Sequence, residues 1–187
     1  MEHSIEKTLL SLDMSTTSTG YAVFLGHKLQ KYGVIKGDKS LDWKERVKIM
    51  AVEIKTLIDT YKPDKIVAED IPLKKQGGMS ILVKLGCLQG ILLALCGDNI
   101  ELELLTVGRW RHKVGLFDGT NEGKKRAMLK KHSIEMANVL FKLDLIWKSN
   151  NSSKNEDDIS DAILIGHSTF IAEKEGIGRK AKVKKDK

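Results

Sequence analysis

Residues 8–26, TLLSLDMSTTSTGYAVFLG, decide how the chain folds. The run TLLSLDMS reads as a strand, STG as a turn and YAVFLG as a second strand. The segment KLQKYGVI adds a third, joined near Gly26-His27, which predicts an antiparallel meander. Asp13 interrupts the first apolar run, where strand propensity and burial both disfavour an acid. Either it caps the Ser-Thr-Thr-Ser-Thr-Gly turn by hydrogen bonds, or something else compensates its charge.

Beyond the meander, Trp43, Val47, Met50, Ile54, Ile58 and Tyr61 recur every three or four positions. They predict an amphipathic helix over 41–61, ended by Pro63. KIVAED reads as a short buried strand, and a Gly77-Gly78 loop leads into an apolar helix over 79–96. ELELLTV is a further strand. A basic helix over about 121–142, a polar loop NNSSKNE and a last helix over about 156–172 complete the pattern. Three antiparallel strands followed by helix, strand, helix, strand and terminal helices give an α/β layout in which the later strands run parallel.

A chain of 187 residues is long enough for one domain with one core. The reading assigns residues 1–173 to that domain and 174–187 to a basic, flexible tail. Cys87 and Cys96 lie in an apolar segment without metal-ligand spacing, so buried thiols in a reducing compartment are expected, with the cytosol as the default. The most apolar stretch, ILVKLGCLQGILLALCG, carries Lys84 and Gln89, falls short of the roughly 20 apolar residues a bilayer needs, and reads as a buried helix.

The net charge of +7 is unevenly placed. Residues 174–187 hold seven Lys/Arg against two acids, residues 109–132 hold eight against two, and the remainder is net acidic. Segregation of this kind points to a polyanionic partner, with a solvated tail as the alternative for the C-terminus.

Glu69 closes the strand KIVAED as oddly as Asp13 closes the first. Side chains alternate across a strand, so Glu69 and Asp70 face opposite ways and only one of them can share a site with Asp13. Near the other end, NEDDISDAILIG (155–166) gathers Glu156, Asp157, Asp158 and Asp161. Acids in a first helical turn favour the positive end of the macrodipole by roughly 0.3–1 kcal/mol each, and Ser153 with Glu156 fits a capping box. Asp161 lies a turn deeper among Ile159, Ala162 and Ile163, spaced i, i+3 from Asp158, so both carboxylates leave one helix face.

If Asp13, Glu69, Asp158 and Asp161 converge, each like-charge pair about 4 Å apart costs on the order of 4 kcal/mol at an effective dielectric of 20. Helix-end electrostatics cannot offset that. Divalent cations can: hard oxygen ligands suit Mg²⁺, which keeps waters and takes phosphate oxygens as further ligands. Two such ions about 3.5–4 Å apart would hold the attacking and leaving oxygens of a phosphoryl displacement.

The order of these pieces resembles the RuvC family of Holliday-junction resolvases, within the ribonuclease-H-like nucleases. The pieces are SLDMSTTSTGYAVF, VAEDIP and DDISDAILIG, with KLGCLQG and TVGRWRHKVG followed by Lys-Lys in between. The compact chain and the Trp110-Arg111 pair look most like the phage-encoded resolvases, those of lactococcal phages in particular, which would put the protein in the cytoplasm of a bacterial host. The resemblance implies a ribonuclease-H-like fold with a mixed five-stranded sheet, three antiparallel strands then two parallel, flanked by helices. It implies a homodimer that grips branched DNA and makes paired nicks with Mg²⁺, Mn²⁺ being the substitute ion, leaving 5′-phosphate and 3′-hydroxyl ends. No small-molecule cofactor and no membrane enter. By position Asp13, Glu69, Asp158 and Asp161 correspond to the catalytic, metal-binding acids. Lys124 corresponds to the lysine near the active site, and Arg111 to a DNA-contacting basic residue. Met14-Ser15 stands where the family usually has Pro-Gly, and Asp70-Ile71-Pro72-Leu73 replaces its Gln-aromatic pair, which implies relaxed sequence preference.

Lys124, Lys125 and Arg126 fall near a predicted helix start, where cations oppose the macrodipole, so phosphate contact accounts for them better than a solvated face. Lys74 and Lys75 precede the Gly77-Gly78 loop and either fold onto DNA or are solvated. Gly86 and Gly90 have GxxxG spacing, which suits close helix packing within or between chains. Two rival functions remain: a catalytically silent binder of branched DNA, and an actin-like or sugar-kinase-like ATPase suggested by LDMSTTSTG.

Overall fold

The computed structural model describes residues 6–71, 79–117 and 120–171. Lys74, Lys75, the Gly77-Gly78 loop and the basic tail lie outside them. Strands β1 (Thr8–Asp13), β2 (Ser18–Leu25) and β3 (Lys28–Lys36) form the meander. Helix α1 (Trp43–Tyr61), strand β4 (Lys65–Glu69), helix α2 (Met79–Cys96) and strand β5 (Glu101–Leu105) follow, then α3 (Val107–Lys113), α4 (Arg126–Phe141) and α5 (Asp157–Ser168). The sheet order is β3-β2-β1-β4-β5. β1 pairs antiparallel with β2 and parallel with β4, and β4 pairs parallel with β5. This is the mixed sheet anticipated from the sequence.

Strand alternation divides the core into two layers. Leu10 and Leu12 of β1 pack with Ile66 and Ala68 of β4 against Val47, Met50, Ile54 and Ile58 of α1 and Leu88 and Leu92 of α2. Leu9, Ala22, Phe24 and Val67 pack on the opposite face with Trp110 of α3, Leu129, Ile134 and Ala137 of α4, and Ile159 and Ile163 of α5. Asp13 and Glu69 share the register of Leu9 and Val67, so they face α5.

Helix α5 lies almost wholly buried across β1 and β2. The Ser11 hydroxyl donates to the Ala162 carbonyl at 2.7 Å, which ties sheet to helix inside the core. Gly166 lets the two approach: a Cβ there would overlap the Phe24 ring and lie 2.7 Å from Ser11 Oγ. At α1, Asp42 accepts from the Lys44 N–H at one end, and Lys62 closes the other in a left-handed conformation just before Pro63.

Several local expectations change. The STG segment belongs to β2, and the turn before it is held by its own hydroxyls, with the Ser15 N–H donating to Thr19 Oγ1 and the Thr17 N–H to Ser15 Oγ. Helix α4 starts at Arg126, not 121, with Lys125 at its N-cap and no side-chain cap bond. The Ser153/Glu156 capping box does not form; the Glu156 carboxylate instead accepts from the Ile146 N–H at 2.7 Å and closes the polar loop. Helix α2 is not buried all round: Ile81, Val83 and Leu93 are about half exposed, and Cys87 is exposed while Cys96 is buried. No helix among the described residues is long and apolar enough to cross a membrane.

Candidate functional site

Register brings the first two acids together. Leu12 of β1 stands opposite Ala68 of β4, so the next residues, Asp13 and Glu69, close neighbouring parallel strands at their carboxyl ends. That edge is where open α/β sheets place ligands. Asp13 also pairs across with Gly20 of β2, and Gly20 lies directly under the backbone of Asp158. Contact therefore runs from Asp13 through Gly20 to the first turn of α5.

Each remaining acid is held by a donor from another element. The Ser18 hydroxyl donates to Asp158 Oδ2, and the Ser133 hydroxyl of α4 donates to Asp161 Oδ1. The Trp110 indole N–H of α3 donates to Glu69 Oε2 at 3.0 Å. Arg111, next to it, places Nη2 3.5 Å from Asp161 Oδ2. Asp70 points the other way, accepting from the Ile71 N–H at 2.8 Å and from Gln89 Nε2 of α2 at 3.2 Å. Glu69 is thus the acid on Asp13's side. Asp157, buried, pairs with Lys130 of α4.

The electrostatics show a site short of positive charge. Burial pushes the Asp13 carboxyl well above the usual range. Glu69, Asp161 and Asp158 push it further, and the Arg111 guanidinium pulls back. Glu69 is raised by burial and by Asp161, against the Trp110 hydrogen bond and Arg111. Burial also raises Asp158, opposed mainly by the Ser18 hydrogen bond. Asp161 is raised by burial as well, opposed by Arg111 and by Ser133. Asp13 is the common neighbour of the other three.

Among the described residues, no group of three or more His, Cys, Asp or Glu side chains is gathered tightly enough to ligate one ion. The acids are turned onto protein donors instead. The donor set nonetheless suits a hard cation, being all carboxylate oxygen with more negative charge than its cations balance.

The basic residues are less concentrated. Lys124 is exposed in the turn before α4, and Lys125, also exposed, pairs with Glu122. The cations whose charge is felt by the acids are Arg111, Lys130 and Arg126. Trp110, Ser18, Ser133 and Lys130 escaped the sequence reading as partners of the site. Ser133 did leave a signal, a hydroxyl among Leu129, Ile134 and Ala137 on the buried face of α4.

No family model and no curated protein matches the chain. Solved structures do. RuvC of Thermus thermophilus in complex with a Holliday junction substrate superposes with a TM-score of 0.64 at 15% identity, covering 88% of this chain and 93% of that one. A second Thermus thermophilus RuvC structure gives 0.61 at 16% identity, with the same coverage. The yeast mitochondrial Holliday junction resolvase Ydc2 gives 0.53 at 14% identity, covering 89% and 81%. At these identities the likeness is one of fold, and the chain has the ribonuclease-H-like fold of the RuvC resolvases.

Proposed function

We propose that this protein is a structure-selective DNA endonuclease that resolves four-way junctions and related branched DNA by paired nicks, using Mg²⁺ held by Asp13, Glu69, Asp158 and Asp161. What supports the reading is that Asp13 and Glu69 close neighbouring strands at the carboxyl edge of the sheet, with the charges of Glu69, Asp158 and Asp161 all acting on the Asp13 carboxyl. The same fold spans 88% of the chain in a solved resolvase bound to a Holliday junction.

Divalent ions held by Asp13, Glu69, Asp158 and Asp161 would supply Lewis acidity toward the phosphoryl group and a more acidic water. The chain's own residues prepare the place. Ser18, Ser133 and Trp110 hold three of the four carboxylates in position. The expected products carry 5′-phosphate and 3′-hydroxyl ends. Arg111, Lys124 and Lys125 are assigned to DNA phosphates, as are Lys74 and Lys75 outside the described residues. A second copy of the chain is assigned to the exposed apolar side of α2. There, a Cβ added at Gly86 or Gly90 meets nothing within 4 Å among the described residues, so none of these uses that gap.

Incubation with labelled four-way junction, fork and duplex, with Mg²⁺ and with EDTA, tests the reading. Symmetrical nicks in the junction that require the metal support it. Junction binding without any nick in Mg²⁺ or Mn²⁺ would leave the silent binder, the reading favoured by the acids being engaged with protein donors.

Two further outcomes follow from particular contacts. Trp110→Phe keeps the ring in its buried seat but removes the donor to Glu69, so the carboxyl rises further. Since a ligand must be ionised, the acid limb of the cleavage pH profile moves to higher pH, and the rate near neutrality falls on the order of tenfold. An unmoved acid limb would detach Glu69 from the chemistry. Leu93→Glu puts a charge on the open face of α2 and should convert dimer to monomer in analytical ultracentrifugation, with loss of paired nicking. A dimer that persists would place the interface elsewhere.

A further inference from the structure

The carboxylate cluster contains a cation that is poorly fastened to it. Arg111 comes from α3 with its guanidinium carbon 5.0 Å from the centroid of the Trp110 ring and Nη2 3.5 Å from Asp161 Oδ2. Only 17% of its side chain is exposed, and its Nε is buried with no hydrogen-bond partner among the described residues. A guanidinium built into a permanent ion pair makes two parallel bonds of about 2.7–2.9 Å to one carboxylate. Among the described residues Arg111 makes one long ion-pair contact and leaves a buried donor unsatisfied, an arrangement that costs stability. Its charge nonetheless acts on Asp13, Glu69 and Asp161 together. It neutralises the cluster without being locked to any member.

The Trp110 ring explains how such a side chain can rest there. The indole is fully buried and anchored by its own bond to Glu69. Its face therefore offers a fixed apolar, cation-attracting surface along which the guanidinium can shift without losing all its contacts. Carboxylates turned toward Arg111 and the serine hydroxyls are not gathered around one point. Gathering them requires a stronger positive charge at the centre, and that charge and the guanidinium repel.

We propose that Arg111 is a resident counter-cation of the carboxylate site, seated on Trp110, which a divalent ion must displace to enter, so that this one side chain sets the metal affinity. The proposal rests on the reading of the four acids as a metal site. Displaced from Asp161, the guanidinium meets its next available acceptor in the phosphate backbone of bound DNA, whose paired oxygens match its fork. Arg111 is in this sense a positioning residue for the ion rather than a ligand.

Mg²⁺ binding to the full chain, without DNA, tests this by isothermal titration calorimetry and by the metal-induced rise in unfolding temperature. Arg111→Gln removes the charge and keeps much of the length, whereas Arg111→Lys keeps the charge. The glutamine variant should bind Mg²⁺ at least about tenfold more tightly than wild type, and the lysine variant within about threefold of it. Without metal, Arg111→Gln should unfold at a lower temperature than wild type and gain more on adding Mg²⁺. Equal or weaker binding by Arg111→Gln, with wild type still binding, overturns the counter-cation and leaves the metal site standing. A glutamine variant that stays unfolded in saturating Mg²⁺ makes Arg111 a structural residue and also overturns it. If neither wild type nor variant binds the ion, the metal-site reading fails as well.

Discussion

Asp13→Asn is expected to abolish cleavage and, in the absence of metal, to make the protein more stable. The two effects have one cause. Asp13 stands where burial and three neighbouring acids all disfavour its charge, with Arg111 in partial opposition. Its folded-state pKa is therefore raised above the unfolded value near 4. A raised carboxyl contributes stability at pH below the unfolded value and loses it as pH rises through the folded one. Metal-free wild type should thus lose stability on going from acid toward neutral pH, while Asp13→Asn, which cannot ionise, should lose less and unfold at a higher temperature at pH 7. For catalysis the sign reverses, because the amide cannot help hold a hard cation. With Lewis-acid assistance worth several kcal/mol and each 1.36 kcal/mol a factor of ten, the nicking rate should fall by about 10³-fold or more. Asp161→Asn should fall as far. If basic residues carry junction affinity, as proposed, it should change little and weaken steeply with salt in wild type and variants alike. Asp13→Asn cutting at the wild-type rate would remove Asp13 from the site; Asp13→Asn melting below wild type at pH 7 would make its carboxylate a structural group.

The acids were legible because each broke a local rule. Asp13 and Glu69 end apolar runs, period-two alternation separates Glu69 from Asp70, and an i, i+3 spacing aligns Asp158 with Asp161. Such patterns need only a few residues to be read. What escaped depends on contacts between distant segments. The Trp110 to Glu69 bond links residues 41 apart, and Ser133 to Asp161 links residues 28 apart. No local period encodes either. Helix α3 carries no helical period of its own, because seven residues, capped by the Thr106 side chain, are too few to display a helical face; only the resemblance of TVGRWRHKVG to a strand and short helix pointed to it. Helix α4 starts later than the expected residue 121 because the chain before Arg126 forms turns. Helix α2 misled through composition: it is apolar on every side, yet one side has no covering element among the described residues. The sheet and the oddity of the acids are thus legible in the sequence, and Arg111 was expected there at DNA through the resemblance; its place beside Asp161, and the hydroxyl and indole donors that orient the acids, come only from the structure.

Gly20→Ala should do more damage than a methyl group at Gly33, where the nearest atoms belong to the Tyr21 side chain. Gly20 lies within β2, bracketed by Asp13 of β1 and Val34 of β3, so the strand cannot move sideways without breaking two ladders. A Cβ at this position would overlap the carbonyl oxygen and carbon of Asp158 and lie 3.1 Å from the Ile159 nitrogen. The obstruction is backbone, which cannot rotate away as a side chain could. Helix α5 must therefore lift, straining the Ser11 to Ala162 bond and the close seat of Gly166 on Phe24. Overpacking of this kind costs about 3 kcal/mol or more, roughly a 10 °C fall in unfolding temperature for a chain of this size. The same shift carries Asp158 and Asp161 away from Asp13, so the nicking rate should fall by at least about 10²-fold in protein that is still folded, as expected when reacting groups move by an ångström. Gly108→Ala, a helix position with open space around it, is the control and should change neither. If Gly20→Ala melts with wild type and nicks at its rate, α5 does not rest on β2 at this point, and the route that brings Asp158 to Asp13 is a different one.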